Sequence, residues 1–493
     1  MKATKQGIYV WVYLLLIPFF TYSDAFVSYN TGLYVLTALL LLFCLLAWQK
    51  IYTTEPAFFW INPFVIGTIM TFLLAAGGLT NWYRIGEDGL CMPSEIAPVL
   101  STERSWYNLA MGNTCYAAFF TWLGYRSGVG TDLLRFLNIF WGRLVKSDIS
   151  LQKLIFFTVF AYIAKWYLFS VGLYGRVVSS EYFEAISGYK AGSQIRILAN
   201  LSLLTFTIIC INFFRTKTPL FRRLFVVSLI LEIFFAFIYG ARGPFLIPFF
   251  IVFVTNYYVN RKFRLNYIFL LTIPVILAFT IVMDFKNYAS SAAFNRSSSP
   301  IETITTFFSY RSTLSDAKKS ENSDELTKNL FGSSNALSEA AMAIRYKDVY
   351  GLDNEDPSAF QSMISAPYNA YVPKFLQAQN EFPWGFWFKE KVLQHGIGIQ
   401  YSITVSPVGF LYLAGGTLMV CLGFFIYGFL LRLNYNLLFH NDMHFILFIM
   451  VLAEISNYDS IVASTLVNML RVLTIYPFII YILFAKTTRL SFK

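Results

Sequence analysis

The sequence predicts an all-α polytopic membrane protein with about twelve transmembrane helices and one large loop on the outer face. Of its 493 residues, 57% are hydrophobic and only 13% are charged, whereas a soluble domain carries about 25% charged residues. Apolar runs of about 20 residues, the length that a helix needs to cross a bilayer, recur along the chain. The basic residues fall in alternate connections between these runs, as the positive-inside rule requires.

Twelve runs are apolar enough to be spans, and turns with Gly or Pro separate several of them. Lys2 and Lys5 precede the first run, and no small-residue cleavage site follows it, so we expect no cleavable signal peptide. We place the spans at 7–27, 30–48, 57–79, 106–125, 153–175, 193–214, 222–240, 243–259, 266–284, 402–431, 437–455 and 462–485.

The basic residues predict the orientation. The even-numbered connections and the C-terminal tail are rich in Lys and Arg, with almost no acidic residues, so both termini are predicted to be cytoplasmic. The net charge of +11 is thus mostly topological anchoring. A nucleic-acid partner is not expected, because neither a DNA-binding motif nor a stacking surface accompanies the charge. The basic positions are Lys50; Arg126, Arg135, Arg143 and Lys146; Arg215, Lys217, Arg222 and Arg223; Arg261, Lys262 and Arg264; Arg432; and Lys486, Arg489 and Lys493.

One polar insertion divides the chain into spans 1–9 (1–284), an outer loop (285–401) and spans 10–12 (402–493). The loop carries eleven Lys and Arg against twelve Asp and Glu, so it is nearly neutral. Aromatic residues cluster at 366–373 and 382–388. Such clusters favour a folded lid over a disordered linker, and a long loop on a rigid scaffold is where function usually lies.

Ionisable residues inside spans are costly, so each suggests a function or a partner. Lys165 is near the middle of the fifth span and Glu232 near the middle of the seventh. Two interpretations remain open for them. They pair with each other as a structural contact, or they form the proton relay of a coupled transporter.

Four arginines are predicted at the outer face: Arg176, Arg196, Arg242 and Arg471. Arg242 lies in the stretch Ile238-Tyr-Gly-Ala-Arg-Gly-Pro-Phe-Leu246, whose Gly and Pro residues predict a tight turn. Arginine suits phosphate, because its planar fork donates two hydrogen bonds and stays charged. Together the four predict a cationic ring under the outer loop. The alternative is that each contacts only lipid headgroups or helix-end carbonyls.

The absence of several sequence motifs argues against some classes of enzyme. No nucleotide-binding loop, nucleophile elbow or His-Glu-x-x-His motif is present. His440 and His444 lack a nearby third ligand, so no metal site is expected. Residues 22–30 hold only Asp24, which argues against lipid-dependent transferases that use an acidic pair and a metal. His395, beside two glycines at the end of the loop, is a candidate general base or diphosphate donor.

Three short elements resemble those of the Wzy-type polymerases of bacterial surface polysaccharides. Gly240-Ala-Arg-Gly243 looks like their Gly-x-Arg-Gly element between two spans. The segment from Ser406-Pro407 to Gly415-Gly416 is similar to the opening of a span in oligosaccharide repeat-unit polymerases, including that of enterobacterial common antigen. Tyr371-Val-Pro-Lys374 resembles a Pro-containing element late in their outer loop. The likeness covers most of the chain from the fifth span onward.

The resemblance implies a fold and an activity. The fold would be the second, GT-C-like type of membrane-embedded glycosyltransferase, shared with O-antigen ligases. The activity would be metal-independent and cofactor-free transfer of a glycan from undecaprenyl diphosphate to a sugar hydroxyl of another lipid-linked repeat unit, as in lipopolysaccharide synthesis. It would occur at the outer face of the bacterial inner membrane, among membrane lipids, with or without a chain-length regulator protein. Of the four arginines, Arg242 matches a motif directly and the others match by position.

The residues suit that chemistry. Cations near the diphosphate would stabilise the negative charge of the leaving group. His395 is the first candidate to accept the hydroxyl proton, with Glu454 and Asp284 after it. Four aromatic residues of the loop are candidates for stacking on sugar faces, or for packing within the loop's own core: Tyr368, Tyr371, Trp384 and Trp387.

Two other functions remain open. A ligase would use the same fold to move the finished glycan onto lipid A core or a protein. A flippase or solute transporter would use Lys165 and Glu232, although transporters often consist of two similar halves and no internal repeat is visible here.

Overall fold

The computed structural model describes a helical protein. It covers residues 2–22, 29–75, 105–141, 150–170, 192–240, 242–261, 273–274, 277, 281–289, 300–317, 336–351, 358–372, 384–392, 405–440, 442–455 and 462–484. These residues are 94% helical and contain no strand. Four of their helices are long and apolar enough to cross a membrane: Thr31–Thr54, Leu151–Ser170, Leu198–Thr216 and Pro407–Leu437. An all-α membrane protein is therefore supported, and the count of twelve spans stays a prediction.

We number the α-helices in chain order. Before the insertion they are α1 (Lys2–Tyr22), α2 (Tyr29–Thr54), α3 (Pro63–Thr68), α4 (Ser105–Arg126), α5 (Val129–Trp141), α6 (Leu151–Ser170), α7 (Gly192–Thr216), α8 (Pro219–Tyr239) and α9 (Arg242–Asn260). Within and after it they are α10 (Ile281–Ala289), α11 (Pro300–Ala317), α12 (Ala336–Arg345), α13 (Ala359–Ile364), α14 (Ala366–Tyr371), α15 (Trp384–Trp387), α16 (Pro407–Leu437), α17 (Asp442–Ile455) and α18 (Val462–Phe484).

Most predicted spans coincide with one helix, and the third does not. It consists of a 3-10 helix (Pro56–Ile61), α3 and a π-helix (Ile69–Ala75). Asn62 separates the first two pieces. Its side-chain oxygen accepts a 2.9 Å hydrogen bond from the Phe64 amide, and Pro63 occupies the first helical position, where no amide hydrogen is needed. A cap followed by proline starts a new helix within the apolar run. The ninth predicted span, 266–284, lies mostly outside the described residues.

The closest helix pair is α4 with α16, and glycine makes the approach possible. A Cβ atom on Gly124 would lie 2.0 Å from the carbonyl oxygen of Phe425, and one on Gly428 would lie 2.0 Å from that of Thr121. Small residues let the backbones of membrane helices come together in this way. This pair forms the centre on which α1, α2, α5 and α12 pack.

The insertion packs closely on the helical bundle. Helices α10 and α11 lie at the turn between α8 and α9, where Phe237, Phe285 and Phe307 form one aromatic cluster. Helix α12 is buried between α4 and α16. Helices α13 and α14 pack on α16 and α18. Residues that are remote in sequence therefore meet where the insertion packs on α4, α16 and α18.

Candidate functional site

The turn that carries Arg242 has the geometry that its sequence predicts. Helix α8 ends at Tyr239, and Gly240 follows with φ +70°, a conformation that glycine adopts without strain. Its amide donates a 3.0 Å hydrogen bond to the carbonyl of Phe237. Arg242 is the first residue of α9. Amide groups at a helix start have no partner within the helix, so the backbone at Arg242 begins an electropositive helix end.

Three of the other predicted site residues are not described in full. Arg196 lies in the first two turns of α7, and the structure describes its backbone only, as it does for Arg242. Arg176 and His395 lie outside the described residues. The cationic ring and the role of His395 therefore stay predictions.

Arg471, on α18, bonds to the end of an insertion helix. Its Nε donates to the carbonyl of Ala370 at 3.0 Å, and its Nη2 donates to the carbonyl of Asn369 at 2.8 Å. Both carbonyls belong to the last turn of α14, where carbonyl groups lack helical partners and the helix dipole favours a cation. Helix-end carbonyls thus bind part of this guanidinium. Two of its five N–H donors are used in these bonds.

Glu454, on α17, lies beside Arg471. Asn468 donates a 3.0 Å hydrogen bond from Nδ2 to Oε2 of Glu454, and the charge of Arg471 acts on the same carboxyl group. Asn468 and Arg471 are three residues apart, so they share one face of α18. The structure therefore brings together a carboxyl and a guanidinium that are 17 positions apart in the sequence.

Tyr371 completes the same group. Its hydroxyl lies 3.3 Å from Oγ1 of Thr474, one further step along the face of α18 that holds Asn468 and Arg471. The side chain is half exposed, as is that of Tyr368 one turn earlier on α14. We call Tyr371, Glu454, Asn468, Arg471 and Thr474 the outer cluster. It unites one predicted residue of each kind: sugar-binding, catalytic and diphosphate-binding.

The two tryptophans of the loop are packed inside the protein. Trp384 and Trp387 are only 3% and 7% exposed. Their rings contact each other, and the ring centroid of Trp384 lies 5.0 Å from that of Phe410. Trp384 also donates a 3.2 Å hydrogen bond from Nε1 to Oγ of Ser362. Of the two roles predicted for these rings, the structure shows the packing role, and sugar stacking stays a prediction for Tyr368 and Tyr371.

Two charged residues of the insertion make contacts that the sequence did not indicate. Arg311, on α11, forms a 3.0 Å ion pair with Asp284, which was a predicted proton acceptor. Lys347 donates from Nζ to the carbonyls of Tyr412 at 2.8 Å and Leu413 at 3.3 Å. No spacing pattern links residues 27 or 65 positions apart, so only the folded chain could identify these partners.

Lys347 lies where helix α16 is broken. Gly416 has φ +69°, and Gly415 is also non-helical. A break of this kind frees carbonyls in the preceding turn, and Lys347 bonds to two of them. Asp348 accepts a 2.9 Å hydrogen bond from the hydroxyl of Tyr412. Gly415 and Gly416, which belong to one of the elements that resemble the family, therefore break the helix of a predicted span. Lys347 of the insertion bonds to the carbonyls before the break.

The buried charges Lys165 and Glu232 pair with each other. Nζ of Lys165 donates to Oε2 of Glu232 at 2.7 Å. Both residues are buried, and the ammonium also lies 5.6 Å and 5.7 Å from the ring centroids of Tyr162 and Phe235. The predicted pairing is confirmed, and a proton-relay role for the pair stays a prediction.

The histidines of α16 and α17 have protein partners. His440 Nδ1 lies 3.1 Å from the carbonyl oxygen of Asn436, and His444 Nε2 lies 2.9 Å from Oδ1 of Asn138. Within the described part of the chain, no three His, Cys, Asp or Glu side chains are grouped as metal ligands.

Comparisons of the chain with known protein families, with curated proteins and with solved structures give no match.

Proposed function

We propose that this chain is a polysaccharide polymerase of the bacterial inner membrane. It would transfer a glycan from an undecaprenyl-diphosphate donor to a sugar hydroxyl of another lipid-linked repeat unit, at the outer face. The proposal includes a fold of about twelve spans of the GT-C-like type. The observation that carries it is the outer cluster, in which a carboxyl, a guanidinium and an exposed tyrosine meet beneath the insertion.

The outer cluster contains the groups that such a transfer needs. The acceptor hydroxyl attacks the anomeric carbon, the bond from that carbon to the phosphate oxygen breaks, and its electron pair stays on the diphosphate. A cation stabilises that charge most effectively when it is held in place beforehand. Arg471 is held by two carbonyls, and among the described residues its Nη1 bonds to none, so it can still bind a phosphate oxygen.

Glu454 is the described candidate to accept the proton of the attacking hydroxyl. A general base must come within hydrogen-bond reach of that proton. Asn468 bonds to one carboxyl oxygen and fixes its direction. Tyr371 and Tyr368 offer ring faces at the open side of the cluster, and an aromatic face suits the apolar face of a sugar.

The backbone at Arg242 supports the same proposal. Gly240 ends one helix and Arg242 begins the next. Helix starts attract anions, and an arginine at that position adds a permanent charge. This turn carries the Gly-x-Arg-Gly likeness, and its backbone geometry supports the diphosphate contact that the resemblance implies.

The test is purified protein in proteoliposomes with a lipid-linked repeat unit, read as a ladder of chain lengths on a gel. We expect a ladder from the native chain and none from Glu454→Gln, which keeps an oxygen for Asn468 but removes the charge. Asp132→Asn is the matched control, because Asp132 is exposed on α5. A native protein that gives no ladder overturns the proposal. Transfer to lipid A core instead would indicate a ligase, and movement of the lipid across the bilayer without lengthening would indicate a flippase.

A further inference from the structure

The segment 358–372 of the insertion exposes an apolar stripe that no described part of the chain covers. Phe360, Ile364, Tyr368 and Tyr371 are 46%, 63%, 50% and 49% exposed. They are separated by four, four and three residues, which is the spacing of one helix face. Ser365 between α13 and α14 keeps α-helical dihedral angles, so the stripe continues across the junction.

A different face of the same segment is already buried against the protein. Ala359 packs in the core near α16, and Ala366 and Ala370 pack against Val467 of α18. Polar side chains occupy a third face, where Ser362 accepts the hydrogen bond from Trp384. The segment therefore has two apolar faces and one polar face. A soluble amphipathic helix needs only one apolar face, for its own core, so the second face requires another apolar environment.

Arg471 fixes the level of this segment relative to the membrane. It is nine residues beyond Val462, the first residue of α18, which is a predicted span. The carbonyls of Asn369 and Ala370 bond directly to its guanidinium. Ala366 and Ala370 of α14 also pack against Val467, five residues into α18, which at about 1.5 Å per residue is about 8 Å below the predicted outer end of that helix. A segment that is level with the apolar part of a spanning helix is also level with lipid chains.

A second contact places the insertion at a comparable level on another helix. Lys347 reaches the carbonyls of Tyr412 and Leu413, five and six residues into α16. That helix is apolar enough to span the membrane. Two separate parts of the insertion therefore bond to helices that are predicted spans, below their predicted outer ends.

We propose that residues 358–372 are embedded in the outer leaflet, with Phe360 and Ile364 in contact with lipid acyl chains and with Tyr368 and Tyr371 continuing the stripe to the outer cluster. Helices that lie in the membrane interface combine a buried apolar face with a polar one in this way. This part of the insertion is then embedded in the outer leaflet. The insertion is therefore not a lid that is surrounded only by water. This inference does not depend on the proposed enzymatic activity.

The experiment compares spin labels at matched positions in proteoliposomes. One cysteine is introduced at a time, as Ile364→Cys, as Leu418→Cys for a lipid-facing reference and as Arg135→Cys for an aqueous reference. Leu418 is 80% exposed on the spanning helix α16, and Arg135 is exposed on α5. Cys421, which is half-buried, and Cys91, which lies outside the described residues, are first replaced by serine, and each variant is used only if it is monodisperse.

We expect the label at Ile364→Cys to collide with oxygen as often as the label at Leu418→Cys, and to be at least about tenfold less accessible to a water-soluble nickel chelate than the label at Arg135→Cys. Accessibility to the chelate equal to that of Arg135→Cys would overturn the inference, because the stripe would be in water. Protection from both reagents would also overturn it, because a protein surface would then cover the stripe.

Discussion

Nζ of Lys165 donates a 2.7 Å hydrogen bond to Oε2 of Glu232, and this ion pair joins α6 to α8 in a buried position. Charges in an apolar environment are tolerated mainly when they are paired. The contact therefore explains why a predicted span can contain a lysine and another a glutamate. It also leads to the first prediction.

Removing one member of this pair should destabilise the protein more than removing both. Lys165→Met leaves an unpaired carboxylate, and we expect it to lower the free energy of unfolding by about 3 kcal/mol or more. The double variant Lys165→Met, Glu232→Met should recover most of that loss. Thermal unfolding of the purified protein in detergent measures both, with Lys391→Met, at an exposed position, as control. If the double variant were as unstable as the single one, the pair would have another role.

Gly428→Ala should separate the central helices α4 and α16. The added Cβ would meet the carbonyl oxygen of Thr121 at 2.0 Å, and backbone atoms cannot move away as a flexible side chain can. Overpacking typically costs about 1–3 kcal/mol, and we expect a loss at or above the upper end, measured as thermal stability and as yield of folded protein. Leu418→Ala changes an exposed position of the same helix and should leave stability unchanged. Native-like stability of Gly428→Ala would mean that the helices are farther apart than described.

Lys347→Met should loosen the insertion from the broken helix. The carbonyls of Tyr412 and Leu413 lose a charged donor, which costs about 1–3 kcal/mol. We expect faster proteolysis within 336–351, while Lys391→Met should behave as the native chain. Equal proteolysis of native protein and Lys347→Met would contradict a holding role.

Lys347 also makes the free energy of unfolding depend on pH. Burial lowers the pKa of Lys347 from its ordinary value of 10.5, and Asp348 opposes part of the shift. Between the lowered folded pKa and 10.5, the unfolded chain binds more protons than the folded one. The free energy of unfolding therefore gains a contribution as pH rises through that window, and loses it as pH falls through the folded pKa. The stability difference between native protein and Lys347→Met should follow this course in alkaline titrations, and a difference that stays constant with pH would contradict it.

Arg242 should be essential for the proposed transfer. We expect Arg242→Ala to abolish the ladder with unchanged expression, because a permanent charge at the diphosphate is lost. Arg242→Lys should be slower by about 10- to 100-fold, because a point charge cannot make the two parallel hydrogen bonds of arginine. Arg135→Ala, at an exposed site on α5, is the control. Normal chain lengths from Arg242→Ala would remove this residue from the mechanism.

Local sequence predicted the features that depend on neighbouring residues. The all-α class followed from repeated apolar runs, and most described helices coincide with them. The turn at Gly240 followed from Gly240, Gly243 and Pro244 within five residues, because a positive φ is a local requirement. The pairing of Lys165 with Glu232 was also predictable, because an apolar environment leaves two opposite charges few other partners.

Most other contacts between distant segments were decided by the tertiary structure. The sequence offered packing and sugar stacking equally for Trp384 and Trp387, and burial in the folded chain selected packing for both. Arg471 was predicted at the outer face, yet its bonds to Asn369 and Ala370 depend on where α14 docks. The partners of Lys347 and Arg311 depend likewise on how the insertion folds back.

The sequence by itself thus determined a helical membrane chain with a polar insertion and a glycine turn at Arg242, because length, hydropathy and backbone freedom are properties of local segments. The tertiary structure decided that Glu454, Arg471 and Tyr371 form one cluster, and that α14 of the insertion packs beside α18. Those relations arise from packing between helices that are about 100 residues apart in the chain, and side-chain spacing within one segment carries no information about them.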